Sequence, residues 1–423
     1  MSNVVVTFSA PTNGASGTFG DTGTNTTTAV TNASGIATAA TLTANSVRGA
    51  YQVTATVSGI ITSANFLLSN IAWYVASIGN DSLDCQMPAT ACATINSALA
   101  KDGFLAGDTV FVANGMYTNT TGSEVVLIDK DIILVGGWDV AFTTQNGMST
   151  IDGEGGRRGI TVNSDVTVTI IRFFIQNGSV VSSGGGGIAT SGTLTLNNSV
   201  VSDNTSGWGG GGIWNVRGTV TLNNSTVSAN TSSYGGGIYN SEGTMTLNNS
   251  TVSNNTSQDG IGGGIANVGT LTLNNSTVSS NTSQNSNFGG IYNGYGTVTL
   301  QNSLLAGNTD AGLGPDCTGD IVSSGYNLIG NTTGCTFTAN TGDLLNFNPQ
   351  LFPLIVSLGV HPLLPWSPAI NAGNPAGCTD NLGNPLNTDQ RGVARVGRCD
   401  IGAYEYDPNY DPLTYMFLPL IVK

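Results

Sequence analysis

Residues 184–310 repeat one phrase five times. Each copy reads approximately G-G-G-I-x-N, then G-T-x-T-L-N-N-S, then T-V-S-x-N-T-S. The isoleucines that mark the copies, Ile188, Ile213, Ile238, Ile265 and Ile291, are spaced 25, 25, 27 and 26 residues apart. A fixed period with small slips signals stacked structural units. Within each copy apolar and polar residues alternate, as in Thr219-Val220-Thr221-Leu222. Period-2 alternation predicts strands with one buried face, and glycines and asparagines cut each copy into three short runs. The fold expected is all-β, a right-handed parallel β-helix with three strands per coil and about ten coils. Val220, Leu222, Met245, Leu247, Leu271 and Leu273 should point inward. Asn204, Asn230, Asn255, Asn281 and Asn308 should stack at one turn, and Asn215, Asn240, Asn267 and Asn293 at another.

Composition narrows the class. Only 9% of the 423 residues are charged, and the net charge is −14. So little cationic surface excludes a general nucleic-acid binder. Low charge with 59 glycines could mean disorder, but the strict alternation argues for ordered β structure. The six cysteines fall into close pairs, Cys85/Cys92, Cys317/Cys335 and Cys378/Cys399, and local pairing is the economical expectation. Disulfides point to an oxidising, extracellular or cell-surface setting for a secreted protein. No run reaches the length of a transmembrane helix, and no signal peptide precedes the first strand. A mature form, or a start further upstream, is expected.

The ends differ from the repeats. Residues 1–71 read as short strands with turns. The features Asn32-Ala33-Ser34-Gly35, Thr43-Ala44-Asn45 and Gly49-Ala50-Tyr51-Gln52-Val53-Thr54-Ala55 resemble bacterial Ig-like domains of the invasin type. The resemblance implies a β-sandwich, here lacking its first strand or strands, with an open acceptor edge at Val4, Val6 and Phe8. Residues 72–406 should form the β-helix, with an entry cap at 72–150 resembling the opening of secreted β-helix proteins. A short helix over 89–99, with Ile95 and Leu99 on one face, should plug the stack. The G-G-x-I and x-x-N-T pattern of the coils at 184–310 resembles the repeats of polymorphic outer-membrane proteins. In the closing cap, 311–406, Ser367-Pro368-Ala369-Ile370-Asn371-Ala372-Gly373, Asp389-Gln390-Arg391-Gly392 and Asp400-Ile401-Gly402-Ala403-Tyr404-Glu405 resemble the last segment of secreted β-helix proteins with varied cell-surface anchors. Its charges, Asp389, Arg391, Arg395, Asp400 and Glu405, read as a salt-bridged plug. A linker opens the tail, 407–423. After it, Leu413, Tyr415, Met416, Phe417, Leu418, Leu420, Ile421 and Val422 form a strand apolar on both faces.

Three functions fit this surface. Polysaccharide lyases and galacturonases share the fold but need clustered carboxylates with a basic partner. Asp152 and Glu154 beside Arg157 and Arg158 are the best such group, and His361 sits in an apolar stretch. The pairs Thr193/Thr195, Thr219/Thr221, Thr244/Thr246, Thr270/Thr272 and Thr297/Thr299 form a grid resembling ice-binding faces, although Thr is favoured at outward strand positions anyway. The third reading is a structural or adhesive protein without catalytic residues, cofactor or metal. Its partners would be copies of itself and surface glycans, the latter at outward Trp214, Tyr239 and Tyr292. The apolar tail of one subunit would complete the N-terminal sandwich of the next, giving a head-to-tail homopolymer.

Overall fold

A computed structural model describes residues 2–409 except 46, 48, 61, 71, 120, 286–287 and 312–314. The chain divides into two compact units. One holds the described residues of Met1–Ala113 and Lys130–Gln145, the other those of Asn114–Asp129 and Asn146–Lys423. The assembly strand expected at 413–422 lies outside the described residues.

The first unit opens with six strands: β1 (Val5–Ser9), β2 (Gly17–Phe19), β3 (Thr26–Val30), β4 (Leu42–Ala44), β5 (Ala50–Val57) and β6 (Ala64–Ser69). They form a four-stranded antiparallel sheet in the order β3-β1-β5-β6 and a two-stranded sheet, β2-β4. Phe8, Phe19, Tyr51 and Val53 make the small core between them. Strand β1 therefore has a partner on each side. Val6 and Phe8 sit mid-sheet and Val4 leads into that strand, so the acceptor edge expected there is misplaced. The sheet ends instead at β3 and β6. The same unit contains three parallel strands, Ala72–Val75, Asp108–Ala113 and Ile132–Trp138. The helix expected over 89–99 is only Ile95–Leu99, capped by the Thr94 hydroxyl, which accepts from the Ser97 N–H. Cys92 is held extended by a bridge to Val75 and a disulfide to Cys85, which leaves residues 91–94 non-helical.

The second unit is a parallel β-solenoid of about eight turns. A regular coil carries four strands. In one coil these are Ile213–Val216, Thr219–Asn223, Thr226–Ser228 and the two-residue Thr231–Ser232. The first three are the expected ones. Their ladders are called the aromatic, threonine and serine faces below. The serine face has ten strands, but the aromatic ladder only eight. Its outermost rungs, Met116–Tyr117 and Leu344–Leu345, lie beyond that shorter ladder, so ten full coils do not form. Val220, Leu222, Met245, Leu247, Leu271 and Leu273 are buried inside, with Ile213, Ile238 and Ile265.

The N-N-S corner explains itself residue by residue. The first asparagines stack along the outside: the amides of Asn223, Asn248 and Asn274 each donate to the preceding coil at 2.9 Å. The second, such as Asn224 at φ 50°, take the left-handed conformation that turns the chain. The serines line the inside, where each Oγ accepts the backbone N–H of the preceding coil's serine at 3.2 Å. Two further amide ladders fill the other corners, Asn204 to Asn308 and Asn215 to Asn293. At the glycine corner both conformation and space exclude side chains: Gly210 takes φ 59°, and its equivalents Gly185, Gly235 and Gly262 also take positive φ. A Cβ on Gly211 would fall 2.5 Å from the Thr231 carbonyl oxygen.

The closing segment does not cap the stack as expected. Residues 350–406 run along the serine face as a strap. Thr226 Oγ1 donates to Gly359 O (2.9 Å), Asn249 Nδ2 to Thr388 O (2.8 Å) and Thr251 Oγ1 to Gln390 Oε1 (2.7 Å). Further along, the outward column turns apolar, and Leu304 and Leu328 pack with Val360, Leu363 and Ile401. The serine-face threonines are buried for that reason, whereas their counterparts on the threonine face stay open.

Candidate functional site

The outward column of the aromatic face reads Leu127, Thr161, Ala189, Trp214, Tyr239, Ala266, Tyr292 in successive rungs. Trp214 and Tyr239 are neighbours, as alternation requires. The loop preceding that strand adds Trp208. Its ring lies 5.9 Å from Trp214, 5.7 Å from Tyr239 and 6.2 Å from Tyr234, the first two edge-on. Trp208 is 48% exposed and Tyr234 39%. Tyr292 does not join this cluster. It packs on Phe288 at 5.3 Å, with Ala266 between it and Tyr239 in the column. The sequence reading missed Trp208 and Tyr234. Each directly precedes the glycine run of its copy, which was the available signal, although Gly209 and not Trp208 is the residue bridged to Tyr234.

Next to the cluster, an open groove of about 610 Å³ is lined by Asp129, Arg158, Thr161, Asn163, Ala189 and Trp214 among others. Arg158 lies on a strand and not in the turn that holds Glu154. It begins the strand Arg158–Val162, and its guanidinium donates to Gly185 O, Gly184 O, Ser183 Oγ and Thr161 Oγ1. Burial lowers its pKa, and the nearby Glu124 charge opposes that. The Asp152/Glu154 group is structural in geometry. Glu154 pairs with Arg157 at 3.0 Å, while Asp152 accepts from the Gln176 and Asn177 amides and the Glu154 N–H. Asp152 and Arg158 thus serve different neighbours.

In the strap, Arg391 pairs with Asp389 (2.6 Å) and Arg395 with Glu405 (3.1 Å), all four side chains being largely buried. The Asp400 carboxylate accepts the Asn371 and Tyr406 backbone N–H groups. His361 is buried, with Nδ1 beside Phe352 O (2.9 Å) and Nε2 beside Ser253 Oγ (2.7 Å). A carbonyl can only accept, so Nδ1 carries the proton and Nε2 accepts from the serine. Among the described residues no group of three or more His, Cys, Asp or Glu side chains could hold a metal.

Two carboxyls have a pH consequence. Burial raises Asp316, which ends the Asn204–Asn308 ladder by accepting from Asn308, to about 6, and raises Asp400 to about 6. Between the ordinary value of 3.8 and about 6 the folded state holds a proton that the unfolded chain has lost. Stability from these groups is therefore present below pH ~4 and falls as pH rises through ~6. His361 acts oppositely: burial depresses it, so its contribution is lost as pH falls below 6.5. Asp316→Asn isolates one term. The stability advantage of the unaltered chain over this variant should grow by about 3 kcal/mol between pH 7 and pH 4, checked by guanidinium unfolding at both values.

The threonine pairs lie in register, Thr193, Thr219, Thr244, Thr270 and Thr297 forming one column and Thr195, Thr221, Thr246, Thr272 and Thr299 the other. Disulfides join Cys85 to Cys92, Cys317 to Cys335 and Cys378 to Cys399, the local pairing expected. Among the described residues no helix is long and apolar enough to cross a membrane. At the end of the N-terminal sheet, β6 has one partner among the described residues, β5, and exposes Phe66 (48%), Leu67 (52%) and Leu68 (37%). The chain matches no protein-family model, no curated protein and no solved structure.

Proposed function

We propose that this chain is a non-enzymatic extracellular structural or adhesive protein that assembles head-to-tail, residues 413–422 of one copy docking along β6 of the next. The observation that carries the reading is the apolar edge at Phe66, Leu67 and Leu68. An unpaired, exposed, apolar edge strand invites strand addition, and proteins that do not use such an edge blunt it with charge or proline. β6 carries neither. The other sheet end, β3, is Thr26-Thr27-Thr28-Ala29-Val30 and offers far less apolar surface. Phe66 and Leu68 stand opposite Val53 and Tyr51, on the core side, while Leu67 stands on the other side. A strand apolar on both faces, as 413–422 is in sequence, matches an acceptor that is apolar on both faces. Pro419 removes one ladder bond, which an added edge strand tolerates. Unlike donor and acceptor surfaces give an open chain of subunits. The amide and serine ladders suit the solenoid to a rod-like spacer, and the three disulfides suit an oxidising exterior.

Negative-stain microscopy of the full chain should show fibres. Deleting 413–423 or introducing Leu67→Lys should leave single particles. A full chain that stays monomeric at tens of micromolar, or fibres unaffected by both changes, overturns the reading.

A further inference from the structure

We propose that the groove between Arg158 and Trp214 is a binding site for a neutral saccharide. It exists because Ala189 is small. Ala189 pairs with Thr161 on one side and Trp214 on the other. Two rungs separate the flanking residues, about 9.6 Å, and the alanine between them fills little of that span. Ala189 lines the groove and keeps 9% of its surface exposed, whereas the second alanine of the column, Ala266 between Tyr239 and Tyr292, keeps none.

The walls have the chemistry a sugar requires. Trp214 supplies an aromatic surface for pyranose C–H groups, with an N–H at its edge. That Nε1–H is out of solvent and has no acceptor among the described residues. A small rotation of the indole toward the groove would give it a sugar hydroxyl as acceptor, relieving an unsatisfied donor. Opposite, the Arg158 guanidinium is fixed by its bonds to Ser183, Gly184, Gly185 and Thr161. A ligand meets it already ordered, with little entropy left to lose. Asp129 and Asn163 complete the lining with planar polar groups that can accept from and donate to adjacent hydroxyls. Beyond Trp214 the aromatic surface continues for another rung through Tyr239, with Trp208 against both rings. That strip provides a platform for a second sugar unit along the solenoid.

Charge selects the class. Arg158, the one cation of the lining, shares the groove with Asp129 and lies in the field of Glu124, whose Oε2 accepts from Thr161. Counting these three formal charges gives −1, on a chain of net −14. An anionic polymer is repelled by such a surface, whereas a neutral oligosaccharide is not.

Isothermal titration calorimetry of the full chain with cellohexaose, xylohexaose, mannohexaose and maltohexaose tests the site. At least one should bind, and Trp214→Ala and Ala189→Trp should each weaken that binding tenfold or more, with unchanged circular dichroism. Trp214→Ala decides alone if Ala189→Trp does not fold. No binding of any of the four, binding unaltered by Trp214→Ala, or tighter binding of oligogalacturonate than of all four would overturn the proposal. None of these outcomes depends on fibre formation.

Discussion

Asn255→Ala should lower the stability of the solenoid by about 3–5 kcal/mol, the cost of leaving buried polar groups unpaired. Asn255 is fully buried. Its Oδ1 accepts from the Asn230 backbone N–H (3.0 Å) and from Asn230 Nδ2 (2.9 Å). Its Nδ2 donates to Val227 O (3.0 Å) and Asn281 Oδ1 (2.9 Å). Alanine removes all four bonds. The Asn230 backbone N–H loses its Oδ1 acceptor, and Val227 O loses a donor, in a place where no bulk water can substitute. Asn255→Asp should be no better, because a carboxylate oxygen would then face the Val227 carbonyl. Thr246→Ala on the open threonine face is the control, with a change within about 0.5 kcal/mol. Guanidinium unfolding measures both. Because each coil depends on its neighbours, hydrogen exchange should accelerate first around Asn230 and Asn281. A loss below about 1 kcal/mol would mean that the ladder is decorative.

That ladder was legible in the sequence because its residues recur at the repeat period. The inward leucines were legible for the same reason. Each is a local pattern copied five times, and stacking turns sequence period directly into spatial neighbourhood. The outer amide ladder, Asn197 to Asn274, was present in the same N-N-S phrase. It went unread because two adjacent asparagines do different work there, one stacking and one taking a positive φ. The strap was not legible. Its contacts join residues more than a hundred apart, such as Thr251 with Gln390, and no period relates them. The serine-face threonines carry no local mark of the strap, since polar residues beneath a strap and polar residues beneath water read alike. The misplaced acceptor edge has a similar origin. Strand order β3-β1-β5-β6 is a non-local fact, and a run of alternating residues says nothing about which strand ends the sheet. Of the candidate ligand site, Trp214 and Tyr239 followed from alternation. Trp208 sits in a turn, where alternation has no force, and the groove depends on a residue notable only for its small size, Ala189.

Arg395→Met should cost about 3–5 kcal/mol at pH 7, because it leaves buried carboxylates without their cation. The Arg395 side chain is 4% exposed. It donates to Glu405 Oε2 (3.1 Å), Gly402 O (2.9 Å) and Asp400 O (3.3 Å), and it reaches the solenoid itself at Asn249 Oδ1 (3.0 Å). Asp389 and Asp400 add to its field. Methionine fills much of the volume but none of this function. Lysine should rescue little, since one ammonium cannot reach four acceptors that a guanidinium spans. The penalty should shrink toward pH 4, where Asp400, raised by burial to about 6, is protonated and no longer needs a cation. The exposed pair Arg217–Glu242 gives the contrast: Arg217→Ala should leave stability unchanged, because solvent already screens both groups. The location of the damage distinguishes the strap from an end cap. A released strap uncovers the flank, so limited proteolysis should cut within 350–406 first while the coils between Ile188 and Ile291 stay resistant. If the coils and the strap are instead lost together, the strap is integral to the folding of the solenoid rather than a separable cover laid on its serine face.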